Sequence, residues 1–534
     1  MKILFFSPNA GIIPHFSAEM RLANLLKSMK TYEIQFLMCD SFFERDCTVA
    51  RYSGLKIDNH KGARSLNCKV CSDSISQSKV IANFKTSNLR EYFGQAEMQI
   101  FQKQLNFMQK SPIDFIYDGI PIGKIAAYEI ILEFKKKDLN FSSIEDEVLL
   151  AYTENSLRTY LAGRKFLQEF LPDRVIIFNP QYGVNFAFGE AAESLGIRVD
   201  NLAFSNVLAE MRSYIRLWNW TKYRNTTPGR FSSDYQSTDV KLTDQLRLKR
   251  NSALIRKAKS PWTYSQPAKG LDVRKILDID RQSKIVLAVM NSLDEQFAAV
   301  TAGVLPESFG SKRVFADQDA WIKSLISFSA NREDMVLVIR PHPREFPNKR
   351  DSVTAEVALT RRNLFENLPG NVRLDSPDLK IPIEDYFHEI IAITTGWSSV
   401  GLDWQIRGID CVTYDANLPM YPESTHHSSK DEQQYFKQIE ELLDDKLNST
   451  NQLKKNAMKW YVYSNLRGTA RIGTSVFNEI YVGEFLRKIK ITGILNRFLP
   501  KVKLWIDFNF FGLKTGKKKV QRYFEEGKDS LQEI

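Results

Sequence analysis

The chain has 534 residues, of which 43% are hydrophobic and 26% charged, with 74 Lys+Arg against 63 Asp+Glu and a formal net charge of +11. This balance excludes a wholly disordered chain, a collagen-like fibre and a disulfide-rich mini-protein, and no run of about 18 apolar residues is present to span a membrane. The first apolar stretch, Ile3-Leu4-Phe5-Phe6, is shorter than the roughly 7–15 residues of a signal peptide, so a cytoplasmic protein is expected.

In chain order the pattern alternates short apolar strands with helical stretches. A strand over Lys2–Ser7 leads to a helix over Ala18–Met29 and a strand over Glu33–Cys39. Phe115–Asp118 reads as a strand end, followed by a helix through Phe134 and a long amphipathic helix over about Asp146–Phe170. Strands follow at Arg174–Asn179 and Arg198–Phe204, with a helix over Phe186–Leu195 that Gly196 stops. Residues 225–270 are polar and carry Pro228, Gly229, Pro261, Pro267 and Gly270, which suits a linker. A second series then begins, with strands at Lys284–Asn291, Met335–Arg340, Val372–Leu374, Ile390–Thr395 and Cys411–Tyr414. Helices are expected at Trp321–Ser329 and Val400–Arg407.

Strands alternating with helices imply βαβ units and parallel sheets. The fold class expected is therefore α/β, with two Rossmann-like lobes facing a central cleft and ligands at the carboxyl ends of the strands. The expected domains are 1–260, 271–480 and a C-terminal tail, 485–534.

The charge is concentrated in that tail. Residues 487–522 hold eleven basic residues and one acid, Asp507, which leaves the rest of the chain close to neutral. The body thus gives no electrostatic reason to expect nucleic acid as a partner. Within the tail the basic residues interleave with large apolar ones such as Ile494, Leu495, Phe498, Trp505, Phe508 and Phe511. That mixture suits an anionic membrane surface. A tail helix packed on the body with a solvated basic face is the plainer alternative.

Five constellations carry candidate chemistry. In Val338-Ile339-Arg340-Pro341-His342-Pro343-Arg344 an apolar strand runs into a histidine fixed between two prolines. His342 could donate to a phosphate oxygen or act as an acid toward a leaving phosphate, with Arg340 and Arg344 binding anions. In Thr395-Gly396-Trp397-Ser398-Ser399 through Asp403, a strand meets a glycine–hydroxyl loop and a helix start. There Gly396, Ser398 and Ser399 would cradle a phosphate and Asp403 would reach a ribose hydroxyl. Asn291 and Asp294 tip the first strand of the second lobe and could touch a sugar or nucleotide. In the first lobe, His15 and Glu19 follow the first strand, and either could serve as base toward an acceptor hydroxyl. Cys39, Cys47, Cys68 and Cys71 form a C-x7-C-x20-C-x2-C pattern that could hold a structural zinc or consist of buried free thiols.

These motifs resemble those of GT-B-fold glycosyltransferases of bacterial capsule and surface-polysaccharide biosynthesis. The resemblance rests on Arg340-Pro341-His342-Pro343, on Thr395 to Asp403, on Asn291 to Asp294, on the four-cysteine pattern and on the strand ending Phe178-Asn179. Kdo-transferring enzymes and the teichoic-acid glycerophosphotransferases are related families, the latter with a similar His-Pro loop and Ser-Ser…Asp loop. The resemblance implies a GT-B-like architecture with an acceptor lobe at 1–260 and a nucleotide-donor lobe at 271–480. It implies a nucleotide-sugar donor near His342 and Ser398/Ser399, a lipid-linked or polysaccharide acceptor, and transfer that requires no metal cofactor. The tail would then hold the enzyme on the inner face of the cell membrane. The alternatives are a CDP-polyol phosphotransferase of teichoic-acid type, a nucleotide-sugar epimerase and a catalytically inactive scaffold of a polysaccharide assembly complex. The base and the stereochemistry stay open, because no match to the Asp–Gly signature of the Kdo and sialyl transferases is evident in the first lobe.

Overall fold

The computed structural model describes residues 1–43, 46–52, 68–76, 84–207, 210–211, 213–224, 233–257, 266–309, 314–348, 353–415, 420–446, 450–473 and 513–534. The chain divides into two compact units, one comprising residues 1–130, 139–224 and 467–534, the other residues 131–138 and 225–466. The architecture is α/β, with a largely parallel sheet in each unit.

The first unit contains β1 (Lys2–Phe6), β2 (Glu33–Met38), β3 (Lys85–Asn88), β4 (Arg174–Phe178), β5 (Arg198–Phe204) and β6 (Tyr214–Asn219). The second contains β7 (Lys284–Val289), β8 (Met335–Arg340), β9 (Val372–Leu374), β10 (Ile390–Thr395), β11 (Asp410–Thr413) and β12 (His427–Ser428). A last short strand, β13 (Ala470–Arg471), returns to the first sheet, whose order is β13-β6-β5-β4-β1-β2-β3. β1 lies parallel between β2 and β4. Its Ile3–Phe6 stretch is buried on both faces, as an apolar central strand of a parallel sheet must be. β6 and β13 add antiparallel pairing at one edge.

Helices cover both faces. The one over Ile13–Lys27 starts with a proline in its first turn. The long helix Ser143–Phe170 opens with a capping box: Ser142 Oγ accepts from Glu145 N at 3.4 Å, and Glu145 Oε2 accepts from Ser142 N at 2.7 Å. No helix among the described residues is long and apolar enough to cross a membrane.

The C-terminal helix Leu513–Glu525 belongs to the first unit. Val520, Tyr523 and Phe524 are buried in the same apolar cluster as Ile3, Phe5, Leu22 and Phe36. The approach is close enough that a Cβ on Gly516 would stand 1.9 Å from the Arg471 carbonyl oxygen of β13. A polar node locks it. Asp200 in β5, with no exposed surface, accepts from Arg174 Nη1 at 3.2 Å, Arg198 Nε at 2.8 Å and Tyr523 Oη at 2.8 Å. Two arginines and a hydroxyl offset the cost of removing that carboxylate from water.

Several expectations need correction. Phe115–Asp118 is not a strand but the approach to a tight turn, with Tyr117 and Ile120 exchanging backbone hydrogen bonds and Asp118 at φ +53°. The polar stretch 225–270 is not only linker. It holds a helix, Leu242–Arg256, whose Leu248 and Asn251 are buried, and Asn251 Nδ2 donates to Tyr461 Oη at 2.7 Å. The grouping accordingly differs from the 1–260, 271–480 and 485–534 division. Residues 225–260 join the second unit and 467–534 return to the first. Of the basic tail, residues 487–512 lie outside the described residues. From Leu513 on, the apolar side packs into the unit while Lys514, Lys518 and Arg522 stay exposed, which is the plainer of the two tail alternatives.

Removing the Asp200 carboxylate leaves the buried Arg174 without its anion and Arg198 with only Asp529, 3.6 Å away. Asp200→Ala is expected to cost roughly 3–5 kcal/mol, read by denaturant unfolding, and to raise amide exchange in the Leu513–Glu525 helix before the rest of the unit. Exchange unchanged there would show that the node does not hold the helix.

Candidate functional site

The second sheet, ordered β12-β11-β10-β7-β8-β9, is parallel throughout. The chain builds outward from β7 through β8 to β9, then crosses back to set β10 on the other side of β7. The switch point therefore lies at the carboxyl ends of β7 and β10, where ligands of open α/β sheets bind. Val289 at the end of β7 is paired with Arg340 on one side and Thr395 on the other. The loops carrying His342 and Ser398 thus leave the sheet at one level, two strand spacings apart, on the order of 10 Å.

The switch point is closely packed. Thr395 Oγ1 donates to Val289 O at 2.9 Å and lies 3.3 Å from Asn291 Oδ1. Asn291 Nδ2 donates to Tyr414 Oη at 3.1 Å. Gln318, in the first turn of the helix Gln318–Ala330, clamps the Asn291 backbone: its Oε1 accepts from Asn291 N at 2.7 Å and its Nε2 donates to Asn291 O at 3.2 Å. A Cβ on Gly396 would stand 2.5 Å from Tyr414 ring atoms and 2.6 Å from Asn291 Nδ2, so only glycine fits. Directly after it the helix Ser399–Arg407 begins, with Ser398 Oγ accepting from Val400 N at 3.4 Å and Ser399 exposed. Tyr421 Oη donates to Ser398 O at 3.1 Å and fixes the cap. Unsatisfied N–H groups at such a helix start attract anions.

His342 caps a short 3₁₀ turn, Pro343–Glu345, through a hydrogen bond from Arg344 N to its Nδ1 at 3.2 Å. A ring that accepts at Nδ1 carries its hydrogen on Nε2. Burial, then the charges of Arg344, Arg340 and Lys135, pull its pKa down to about 3. At neutral pH His342 is thus a neutral donor through Nε2, not an imidazolium.

The two arginines expected to bind anions are matched internally. Arg344 is paired with Asp294, Nε to Oδ2 at 2.7 Å and Nη2 to Oδ2 at 2.7 Å, and its Nη2 donates to Leu132 O at 2.6 Å. Ser292 Oγ donates to the other Asp294 oxygen. Arg340 is paired with Asp375, just beyond β9. These arginines brace the loops that carry His342 and Asn291. Asp403 lies one turn into the helix Ser399–Arg407. Burial, then the Glu384 charge, raise its pKa to about 7 against the pull of Arg407. Arg407 is itself held by both Glu384 oxygens at 2.9 Å.

In the first unit Ser7 Oγ, beyond β1, donates to Glu19 Oε2 at 2.6 Å. Burial pushes Glu19 up to about 8 despite that bond, so at neutral pH it holds a proton. His15 stacks on Phe178 with centroids 4.3 Å apart, and burial pulls it down to about 4. Of the two candidate bases, His15 is the one with an unprotonated form at neutral pH.

Cys39, Cys47, Cys68 and Cys71 are neighbours, each affecting another's ionisation. Burial, the larger cause, pushes Cys39 and Cys71 to about 12, and Cys39 Sγ accepts from Phe42 N at 3.3 Å. No group of three or more His, Cys, Asp or Glu side chains among the described residues is arranged to hold a metal. Cys39 and Cys71 are thus protonated thiols at neutral pH.

Gln318, Tyr414, Tyr421 and Asp375 were not legible as site residues. Tyr414 and Asp375 stand beyond strand ends, where a signal existed. Gln318 comes from a helix whose strand-end partner only the fold reveals.

No protein-family model and no curated protein matches the chain. Among solved structures it is similar to a UDP-GlcNAc 2-epimerase from Neisseria meningitidis bound to UDP-GlcNAc, at 12% identity over 91% of this chain and 100% of that one, with TM-score 0.31. It is also similar to the β-Kdo 2,4-transferase KpsC of Thermosulfurimonas dismutans, at 12% identity over 54% of this chain and 79% of that one, with TM-score 0.31. A third likeness is to CalG4, the calicheamicin glycosyltransferase, at 10% identity over 92% and 99% of the two chains, with TM-score 0.26. At these TM-scores the likenesses carry no conclusion about chemistry.

Two outcomes are expected at this site. Gly396→Ala forces a methyl into Tyr414 and Asn291 and should destabilise the protein by about 1–3 kcal/mol, with Asn291→Ala partly relieving the loss in a double-mutant cycle. For His342, the unfolded chain binds a proton near pH 6.5 and the folded protein only near 3. Stability should therefore fall as pH drops through that window, by up to ~1.4 kcal/mol per pH unit. His342→Gln should flatten the slope by about one proton, checked by chemical denaturation at pH 4 to 7; an unchanged slope would place His342 in contact with water.

Proposed function

We propose that the protein is a glycosyltransferase, moving a sugar from a nucleotide-activated donor bound at the second unit to a lipid-linked or polysaccharide acceptor in surface-polysaccharide biosynthesis. The observation that carries this reading is the switch point of the second sheet. There the Gly396 backbone, the helix start at Ser399 and the His342 loop leave one level of the sheet.

The physical division of tasks follows from the geometry. A donor diphosphate at the Ser399 helix start would meet backbone N–H groups and the Ser399 hydroxyl. His342 Nε2–H would donate to the bridging or leaving phosphate oxygen. A neutral donor aimed where negative charge develops stabilises the transition state more than the ground state. Phosphate beside it would also raise its pKa, so that it could pass a proton as the bond breaks. Arg344–Asp294 and Arg340–Asp375 would hold these loops without competing for the ligand. For the acceptor proton the first unit offers His15, neutral at pH 7. The basic residues of 487–522, those of the packed helix through its exposed Lys514, Lys518 and Arg522, would hold the protein to an anionic membrane, where a lipid-linked acceptor resides.

The test is a thermal-shift screen against CMP-, CDP-, UDP- and GDP-linked sugars, with His342→Ala beside the parent. One nucleotide should stabilise the parent, by ~2.7 kcal/mol at a hundredfold excess over its Kd, and bind the variant at least about tenfold more weakly. Stabilisation by none, or equally in both proteins, would overturn the phosphate role of His342.

A further inference from the structure

β6 presents an uncommon face. Its Ile215 and Leu217 are buried in the first unit's apolar cluster. By the two-residue period of a strand, Tyr214, Arg216 and Trp218 share the opposite face, and all three remain partly exposed. The Arg216 guanidinium lies 5.0 Å from the Trp218 ring centroid. Directly across on β5, Arg216 faces Ala203 and Trp218 faces Asn201.

What marks Arg216 is the anion it lacks. Arg174 and Arg198 share Asp200, and Arg224 is paired with both Glu190 and Glu193. Arg216 is set deeply enough that burial lowers its pKa to about 10, with no carboxylate opposing that effect. Among the described residues its guanidinium has no ion-pair or hydrogen-bond partner. A partly buried guanidinium without a counter-ion is costly unless a ligand supplies one. A second observation points the same way. Asn201 is 3% exposed, and its Oδ1 is buried with no hydrogen-bond partner.

We infer that this face of β5 and β6 binds an anionic saccharide. Arg216 would take the carboxylate or phosphate as a two-pronged donor. Asn201 Oδ1 would accept from a sugar hydroxyl, and the Trp218 and Tyr214 rings would lie against the apolar face of a pyranose. The inference deepens the transferase reading and rests on it for the meaning of the site, as an acceptor subsite. The binding itself requires only the first unit's geometry.

The test is calorimetric titration of the full chain with three probes: a hyaluronan hexasaccharide for carboxylate, mannose 6-phosphate for phosphate, and chitohexaose as the neutral control. One anionic probe should bind and chitohexaose should not, and which one binds identifies the anion's source. Arg216→Gln should weaken that binding at least about tenfold, the scale of a lost charged hydrogen bond. Arg216→Lys, which keeps the charge and guards against simple misfolding, should lose less. No binding of either anionic probe to the parent, or equal binding by Arg216→Gln, overturns the inference. Nucleotide-sugar stabilisation measured on the same variants separates the two readings. If it persists while glycan binding ignores Arg216, the subsite falls and the donor reading stands. If glycan binding depends on Arg216 but no nucleotide stabilises the protein, the donor reading falls and the subsite stands.

Discussion

The Arg344–Asp294 ion pair is the contact on which the second unit's rim depends. Each partner sits on a different strand-end loop, and the same guanidinium reaches the carbonyl of Leu132. One buried side chain thereby ties together the loop after β7, the loop after β8 and the short excursion 131–138. With both charges out of water, neither can be released without leaving the other unpaired. The loop positions are therefore set before any ligand arrives. Pro341 and Pro343 restrict the same loop from within, and the Nδ1 bond from Arg344 N fixes the His342 ring in one tautomer. Charge pairing, proline geometry and capping agree on one placement, which is how a site comes to be preorganised.

The same economy distinguishes matched from unmatched arginines. Arg340, Arg344, Arg361 and Arg407 each face a carboxylate, as do Arg174, Arg198 and Arg224. These pairs are framework. Arg216 breaks the pattern beside aromatic rings; Arg21, also without a carboxylate, is met instead by the carbonyls of Ser17 and Gly473. The matched pairs also make the second unit's rim nearly neutral. A phosphate there would rely on oriented N–H groups more than on net charge, with weaker dependence on salt than a lysine-rich cleft shows.

Much of the framework was legible in the sequence, for identifiable reasons. Strands buried on both faces announce themselves as apolar runs, so β1, β4, β7, β8 and β10 were found nearly to the residue, and with them the loops at their carboxyl ends. Strands toward the margins of the first sheet were not. β3 reads Lys-Thr-Ser-Asn, and β6 has polar and aromatic residues on its outer face, so neither gives a continuous apolar signal. The helix Leu242–Arg256 hid in a polar stretch because it buries few side chains. At the site, residue type indicated chemistry but not partnership. Arg344 and Asp294 were both visible, their mutual bond was not, because it joins residues fifty positions apart. The cysteine pattern left a zinc site and buried thiols open for the same reason: spacing brings thiols into one neighbourhood without saying what they face.

The return of the chain to the first unit has a consequence for the order of synthesis. Residues 131–138 and 225–466 complete the second unit well before the Leu513–Glu525 helix has been made. Until that helix arrives, Asp200 lacks Tyr523, and the apolar side of the first sheet lacks Val520 and Phe524. The first unit, although begun before the second, must wait with part of its core open until Val520, Tyr523 and Phe524 have been made. Closing it needs contacts over more than three hundred positions, the slow kind in which loop entropy is spent before packing rewards it. A nascent chain of this design has its younger half finished while its older half still needs shelter, which is where a cell's holding chaperones would be expected to engage it.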